Sequence, residues 1–550
     1  MSNLLQKASI ILTPTAYSDG TLHSVKPLQT FGSELVTNGD FATDSNWIKG
    51  SGWTIIGGTA NQDGGNGILR QNNLIPTNTR VKATFDLTNY GGSGALTLKF
   101  APNTYPITLN GNGTYTVFTD GTNSLNRDLQ IIASGGFVGS IDNVSVKEVI
   151  DADFDFTRPT TATETGIGSR ENSSGNIESV AANLPRIDYL GGTGHILLEP
   201  QSTNTATYSN DFTQGSIFDS SNAPSVNAVL TSQQATSPDG TNNAWLLKDN
   251  NSGGTGVVAL RYFDTNVTSN DFNTISIFVK KALANDFILL KSGGFDTNGN
   301  GSTWFNINDG TLGNVSGSHT AKIEDYGSGF YRCSITFKSI TDVAGSIQLQ
   351  LASTNGSDQV TKDGTNGVYI FGIQCEADTS QDFATSYIPT SGTTVTRSAD
   401  EANNSGSSDL ISSTEGVLYI EAKTDNSSVG SISINDGTLS TRITARFRTD
   451  TSKIQMTTSG STNDFNFNSA TITLSQYNKI AIVYNSSGQY YFFINGVKSA
   501  VQSKGTFGSN SFTQLDFNRG GGGEVFQGKV KCVAVFKEAL TDAQLTSLTT

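Results

Sequence analysis

Apolar and polar positions alternate with a period of two along most of the chain. The stretches "RVKATFDLTNY" (80–90), "NTISIFVKKAL" (273–283), "GSIQLQLAS" (345–353), "NKIAIVYNSS" (478–487) and "YYFFINGVKSA" (490–500) all follow it. A strand sends successive side chains to opposite faces, so this period predicts half-buried strands. Asp-Gly and Asn-Gly pairs fall between such runs, at Asp120-Gly121, Asp239-Gly240, Asp309-Gly310, Asp363-Gly364, Asp436-Gly437 and Asn495-Gly496. They tolerate a positive φ and predict tight turns. A helical period is nearly absent until the C-terminal "LTDAQLTSLTT". There Thr541 predicts a helix N-cap and Gln544 completes a capping box. Leu540, Leu545 and Leu548 would share its inward face. The pattern predicts an all-β fold: three tandem β-sandwich or jelly-roll domains, an extended N-terminal arm and a short C-terminal helix.

Two stretches repeat a phrase. "ELVTNGDFATDSNWIKGSGWTI" (34–55) and "ATYSNDFTQGSIFD" (206–219) each place Asn, Asp and Phe before a polar turn. Each reads as the entry corner of a sandwich. The regions are then an arm (1–32), a first sandwich (33–149), an irregular polar connector (150–202), a second sandwich (203–400) and a terminal sandwich (401–550) that starts after the linker-like "EANNSGSS".

Composition narrows the classes. Charged residues are only 15% of the 550, yet 30 Phe and 16 Tyr argue for packed cores, not disorder. A net charge of −14 repels polyphosphate and disfavours nucleic-acid binding. No apolar run approaches the length of a membrane span, and "MSNLLQKASIILTPTAY" lacks the basic start and apolar core of a secretion signal. Cys333, Cys375 and Cys532 have no metal-ligand spacing and read as small buried hydrophobes with free thiols.

Several segments resemble known families. "LVTNGDFATDSNWIKGSGWTII" (35–56) with "GSIDNVSV" (139–146) resembles the first and last strands of carbohydrate-binding jelly-roll modules. "GHILLEPQSTNTATYSNDF" (194–212), "GSGFYRCSITF" (327–337) and "FGIQCEADTSQDFATSYIPTSGTTVTRSAD" (371–400) resemble structural proteins of tailed bacteriophages, of the tail-fibre, spike or head-fibre type. The lead-in "NLLQKASIILTPTAYSDGTLHSVKP" (3–27) with "DFDFTRPTTATETG" (153–166) looks like the start of such proteins, the first sandwich being an insertion between them. That family usually continues with Arg where Glu164 stands. "NKIAIVYNSSGQYYFFINGVKSA" (478–500) and "GKVKCVAVFKEALTDAQLTSL" (528–548) resemble the concanavalin A-like/laminin-G fold. The resemblance implies a virion appendage assembled in the host cytoplasm. It would contact host-surface glycans during adsorption, join other virion proteins through its arm and form a homo-oligomer, a trimer by analogy.

Candidate chemistry is sparse. His23, His195 and His319 stand alone in their local sequences, and "RGGGGEVF" (519–526) lacks the Lys-Ser/Thr of a phosphate loop, so no catalytic or cofactor site is expected. Trp47 and Trp53, beside the first entry turn, are the candidate sugar platforms, with core packing as the alternative. Trp245 reads as a core strand residue. By the jelly-roll resemblance, Asp40 and Asp142 are candidates for a structural calcium; the alternative is an Asx-turn at Asp40 and a surface Asp142. Leu4, Leu5, Ile10, Ile11 and Leu12 either dock on another virion protein or pack on this chain's second sandwich. The expected function is a non-enzymatic fibre or spike. A head-decorating or collar protein without a glycan site, and a polysaccharide depolymerase on the concanavalin A-like fold, remain as alternatives.

Overall fold

The alternating runs form the strands their period calls for. Val81–Thr88, Phe272–Lys281, Val343–Ala352, Asn478–Tyr484 and Gln489–Ile494 occupy them in turn. The computed structural model describes residues 4–25, 31–76, 79–100, 103–119, 128–150, 152–161, 165, 167–213, 225–267, 269–379, 381–426, 428–461 and 464–550. The Asp120-Gly121 turn and Glu164 lie outside them. Among the described residues the fold is all-β apart from a single turn of 3-10 helix at Leu5–Lys7 and one α-helix, Asp542–Thr549. That helix carries the expected capping box: Gln544 N–H donates to Thr541 Oγ1, and Gln544 Oε1 accepts from the Thr541 N–H. Leu540, Leu545 and Leu548 are buried against Val417, Tyr419, Tyr491 and Phe536.

The chain divides into two compact units, residues 28–151 and residues 1–27 with 152–550. The first is a sandwich of two sheets. One is five-stranded, with Gly67–Gln71, Leu129–Ser134 and Ala95–Phe100 at its centre; the other is built round Val81–Thr88 and Val138–Val149. Its first strand, Phe31–Glu34, lies antiparallel to its last, with Glu34 opposite Lys147 and Phe31 opposite Val149. This is the closure expected of a jelly roll. The unit is inserted between Thr21–Val25 and Phe154–Thr157, which hydrogen-bond directly, with Leu22 opposite Phe154.

The larger unit holds two further sandwiches. The second sandwich pairs two six-stranded sheets, one led by Phe272–Lys281, Phe330–Lys338 and Gly367–Asp378 and the other by Ala259–Val267, Val343–Ala352 and Phe287–Gly293. Ile275, Ile277, Leu290, Leu349, Cys333 and Cys375 meet in its core. The terminal sandwich sets a five-stranded sheet against a 12-stranded one.

That large sheet changes the reading of the first 200 residues. Ile10–Ser18 pairs with the final strand Gly528–Phe536, Ile11 lying opposite Ala534. Leu4 and Leu5 pack beside Leu545 and Leu548, and Ile10, Ile11 and Leu12 are buried. These side chains, which the sequence leaves to a partner or to the second sandwich, are covered by this chain's own terminal sandwich. An exposed strand edge at Gly528–Phe536 is thereby closed. The stretch expected to be an irregular connector likewise carries strands, among them Phe154–Thr157, Arg186–Asp188 and His195–Leu198, all in the same sheet.

Candidate functional site

The predicted site residues occupy the first unit, and the structure gives them structural work. Trp47 and Trp53 are 6% and 4% exposed and belong to the core formed by Phe85, Leu98 and Ile131. Their indole N–H groups donate to the Asn38 and Gly67 carbonyls, at 2.9 and 3.1 Å. A sugar needs an open ring face, and neither ring offers one, which corrects the expectation of platforms here. Trp245 and Trp304 are half-buried and donate likewise, to the Asn210 and Ser357 carbonyls.

Asp40 is exposed and accepts the Ala42 N–H at 3.4 Å, while Asp142 accepts the Asn143 N–H at 2.7 Å. Calcium needs several converging oxygens. Among the described residues no three His, Cys, Asp or Glu side chains come together to hold a metal, so this pair does not fit the ion. The junction of first and last strands is held instead by Glu34. Its Oε1 accepts the Val36 and Val146 N–H groups, at 3.0 and 2.8 Å, and its Oε2 the Ser145 hydroxyl at 2.6 Å. Sequence reading passed over Glu34 because one exposed-looking Glu carries no pattern.

In the larger unit, the segments that carry the phage resemblance meet in a buried ionic cluster. Arg158 Nη1 donates to Asp400 Oδ1 at 2.7 Å, Arg186 bridges Asp400 and Glu199, and Arg397 Nη1 donates to Glu199 Oε2 at 2.9 Å. Arg158, Arg186, Arg397 and Asp400 have no exposure at all. Burial alone would raise the Glu199 carboxyl; Arg397, Arg186 and the Ser386 hydrogen bonds outweigh it and hold the group well below its ordinary value. With no open face, the cluster is a framework.

Among the described residues the histidines make no triad. His195 Nε2 lies 2.8 Å from Asp188, but its Nδ1 faces the Thr193 carbonyl, not a nucleophile. His23 meets Asp153, and His319 is held between Ser292 and Thr303, burial lowering it to about 4. Glu171, beside Asp188, is pushed up to about 7 by burial and then by that carboxylate. Its Oε2 is enclosed and lacks a partner, so no substrate atom reaches it. A recess of about 190 Å³ between Thr320, Ser334, Phe383 and Asp425 contains Lys322, already paired with Glu324 and Asp425.

The outer face of the five-stranded sheet of the terminal sandwich is polar but covered: Ser431, Ser433, Asn435 and Thr444 have no exposure. Alternation turns Ile432, Ile434, Ile443, Ala445, Phe447, Ile454 and Met456 into the core, all with no exposure. The opposite face is wholly polar. Registers set Ser433 opposite Thr444 and Thr444 opposite Thr457, with Asn435–Arg442–Ser459 and Ser431–Arg446–Gln455 as flanking rows. The Gly-rich loop 519–523 borders it, and Glu524 beyond the loop receives Arg446 on both carboxylate oxygens, at 2.7 and 2.6 Å. The positive φ of Gly520 and the 2.6 Å that a Cβ there would leave to the Thr438 carbonyl explain why only glycine fits so close to the sheet.

The family model for the concanavalin A-like lectin/glucanases superfamily matches residues 410–546, the sandwich that carries this face. The terminal sandwich is therefore a concanavalin A-like/laminin-G domain. No curated protein matches the chain. Among solved structures, the CBM40 of the Ruminococcus gnavus IT-sialidase bound to α2,3-sialyllactose is 17% identical. The match covers 27% of this chain and 94% of that one, with a TM-score of 0.24. Domain 4 of the arabinanase AbnA from Geobacillus stearothermophilus, in complex with arabinotriose, is 14% identical over 28% of this chain and 73% of that one (TM-score 0.23). The tandem CBM22 domain of Xyn10C from Paenibacillus barcinonensis is 11% identical over 63% and 98% (TM-score 0.20). With TM-scores this low, none of the three bears on the function of this chain.

Proposed function

We propose that this chain is a non-enzymatic structural component of a bacteriophage virion, a fibre or spike that contacts host-surface glycans during adsorption. The observation that supports glycan contact is the match of residues 410–546 to the concanavalin A-like lectin/glucanases superfamily. The virion assignment is supported by the quoted phage-like segments. Their charged residues Arg158, Glu199, Arg397 and Asp400 serve one another, so the resemblance follows a shared framework and not scattered surface residues. Anchoring to the particle falls to some surface other than the N-terminal strand. Each weak glycan contact would gain by avidity in a homo-oligomer, a trimer by analogy.

Two measurements test this reading. Purified full-length chain on a broad glycan array should bind, and labelled chain should appear on fibres or spikes of imaged virions. Head or collar labelling with an empty array would favour a purely structural part. Release of new reducing ends from host polysaccharide would favour a depolymerase.

A further inference from the structure

The recess beside Lys322 lies where the second sandwich meets the terminal one. Thr320–Asp325 is the edge strand of its six-stranded sheet. Lys322 on that strand reaches Asp425, just past the terminal sandwich's strand Gly416–Lys423, at 3.2 Å, and Glu324 on its own strand at 2.9 Å. The recess beside this bridge holds about 190 Å³ and is walled by Thr320, Lys322, Glu324, Phe383 and Asp425. It is open to solvent. Thr320 is exposed, and the side chains of Lys322, Asp425 and Glu324 keep 46, 26 and 22% of their exposure. A smaller recess of about 60 Å³ shares Lys322, Glu324, Phe383 and Asp425 and carries the groove on toward Gln527 and Lys529.

Phe383 is the apolar wall. It is half-buried, yet it takes no part in the core round Ile275 and Cys375. The polar walls have capacity to spare. Glu324 gives Lys322 its Oε1 and Asp425 gives it Oδ2, and the second oxygen of each has no hydrogen-bond partner among the described residues. We propose that this recess seats one neutral sugar ring, its apolar face on Phe383 and its hydroxyls donating to the free oxygens of Glu324 and Asp425. An aromatic wall with a few placed polar groups suits a sugar, and a hydroxyl bond to a carboxylate is a strong one. Charge excludes acidic sugars. The lining holds three carboxylates, Glu324, Asp382 and Asp425, to one ammonium, Lys322, and the chain as a whole carries −14. Size restricts the ligand further. The recess is smaller than the roughly 300–1,000 Å³ of sites for larger ligands, so it takes the end or a side branch of a glycan. The inference rests on the glycan-contact reading above and gives it a place and a chemical class.

The test puts the full chain on an array of glycans ending in glucose, galactose, mannose, rhamnose or N-acetylglucosamine, beside glycans ending in glucuronate or sialate. Neutral ends should bind and acidic ends should not, and the binding should hold as salt rises, because no net charge is neutralised. Phe383→Leu keeps the apolar bulk and loses the ring face, and should weaken binding about fivefold. Glu324→Gln should weaken it about tenfold, the worth of a hydrogen bond to a charged group, and Asp425→Asn on the opposite wall should act alike. All three variants should melt as the wild type does, because none of these side chains is fully buried and a half-exposed ion pair contributes little. Binding confined to acidic ends, or neutral binding that either Phe383→Leu or Glu324→Gln leaves unchanged, overturns the proposal while the glycan-contact reading stands. A chain that binds nothing on the array overturns both.

Discussion

The indole N–H of Trp47 donates to the backbone carbonyl of Asn38, 2.9 Å away, and Phe41 packs on that indole with ring centroids 5.2 Å apart. The second sandwich repeats the device. Trp245 donates to the Asn210 carbonyl at 3.0 Å, and Phe212 packs on it at 5.9 Å. The repeated Asn–Asp–Phe phrase is thus a corner that captures a tryptophan. Trp47→Phe keeps most of the packing and loses the donor, which should cost about 1–3 kcal/mol; Trp47→Ala should cost about 3–5 kcal/mol. Urea unfolding of the full chain measures both. A ring serving as an exposed sugar platform would instead lose binding at unchanged stability.

Local patterns carried the readable part of this fold. Period-two runs gave the strands, and Thr541 and Gln544 gave the helix start. The repeated phrase gave two sandwich corners. What escaped was set by contacts distant in sequence. Arg158 and Asp400 are 242 positions apart, and each looks like an ordinary surface charge in its own segment. Ile10–Ser18 resembled a docking arm because its partner strand, Gly528–Phe536, is the last in the chain. The Arg446–Glu524 pair escaped for a different reason. Arg446 and Glu524 become neighbours only once strand register and the glycine loop are known.

The buried cluster should dominate acid sensitivity. Glu199 has a depressed pKa in the folded state, so its contribution is complete above its ordinary value of 4.5 and drains away as pH falls toward the folded value. Unfolding midpoints in urea should therefore drop steeply as pH falls below about 4.5. Arg186→Met leaves Asp400 and Glu199 under-compensated and should cost about 3–5 kcal/mol at pH 7. A midpoint that ignores both the pH and the substitution would mean the cluster contributes nothing.

Glu171 should behave in the opposite sense. Its carboxyl is pushed up to about 7 by burial and Asp188, so the folded state favours the protonated form. Stability is undiminished below 4.5 and is lost as pH rises through 7. Glu171→Gln keeps the shape and removes the titration. It should be neutral at pH 4 and stabilising at pH 8, by on the order of 1 kcal/mol once residual solvent screening is allowed for. The measurement is the difference between wild-type and variant unfolding free energies at the two pH values.

The N-terminal strand should be inseparable from the terminal sandwich. Ile10 and Leu12 have no exposure, and the strand covers the edge of Gly528–Phe536. Leu12→Ala should cost about 2–5 kcal/mol, as for any large-to-small core change. Deleting residues 4–18 should lower the melting temperature and promote association through the uncovered edge, read by light scattering. A truncated chain that melts like the full one and stays dispersed would show that the strand is dispensable.

The glycine loop offers a graded test of how Glu524 is held beside Arg446. Gly520 and Gly522 both have φ +86, so an alanine at either strains the backbone, by about 1 kcal/mol. They differ in surroundings. A Cβ at 520 would lie 2.6 Å from the Thr438 carbonyl, whereas one at 522 meets nothing within 4 Å. Gly522→Ala should therefore cost only the backbone term. Gly520→Ala must also lift the loop, and lifting it draws Glu524 away from Arg446 and from the Ser431 N–H, which donates to the Glu524 carbonyl at 2.8 Å. Hydrogen exchange at the Ser431 amide separates the cases: faster in Gly520→Ala, unchanged in Gly522→Ala. Equal exchange in both variants would mean that Glu524 holds its place without the loop's close approach to the sheet.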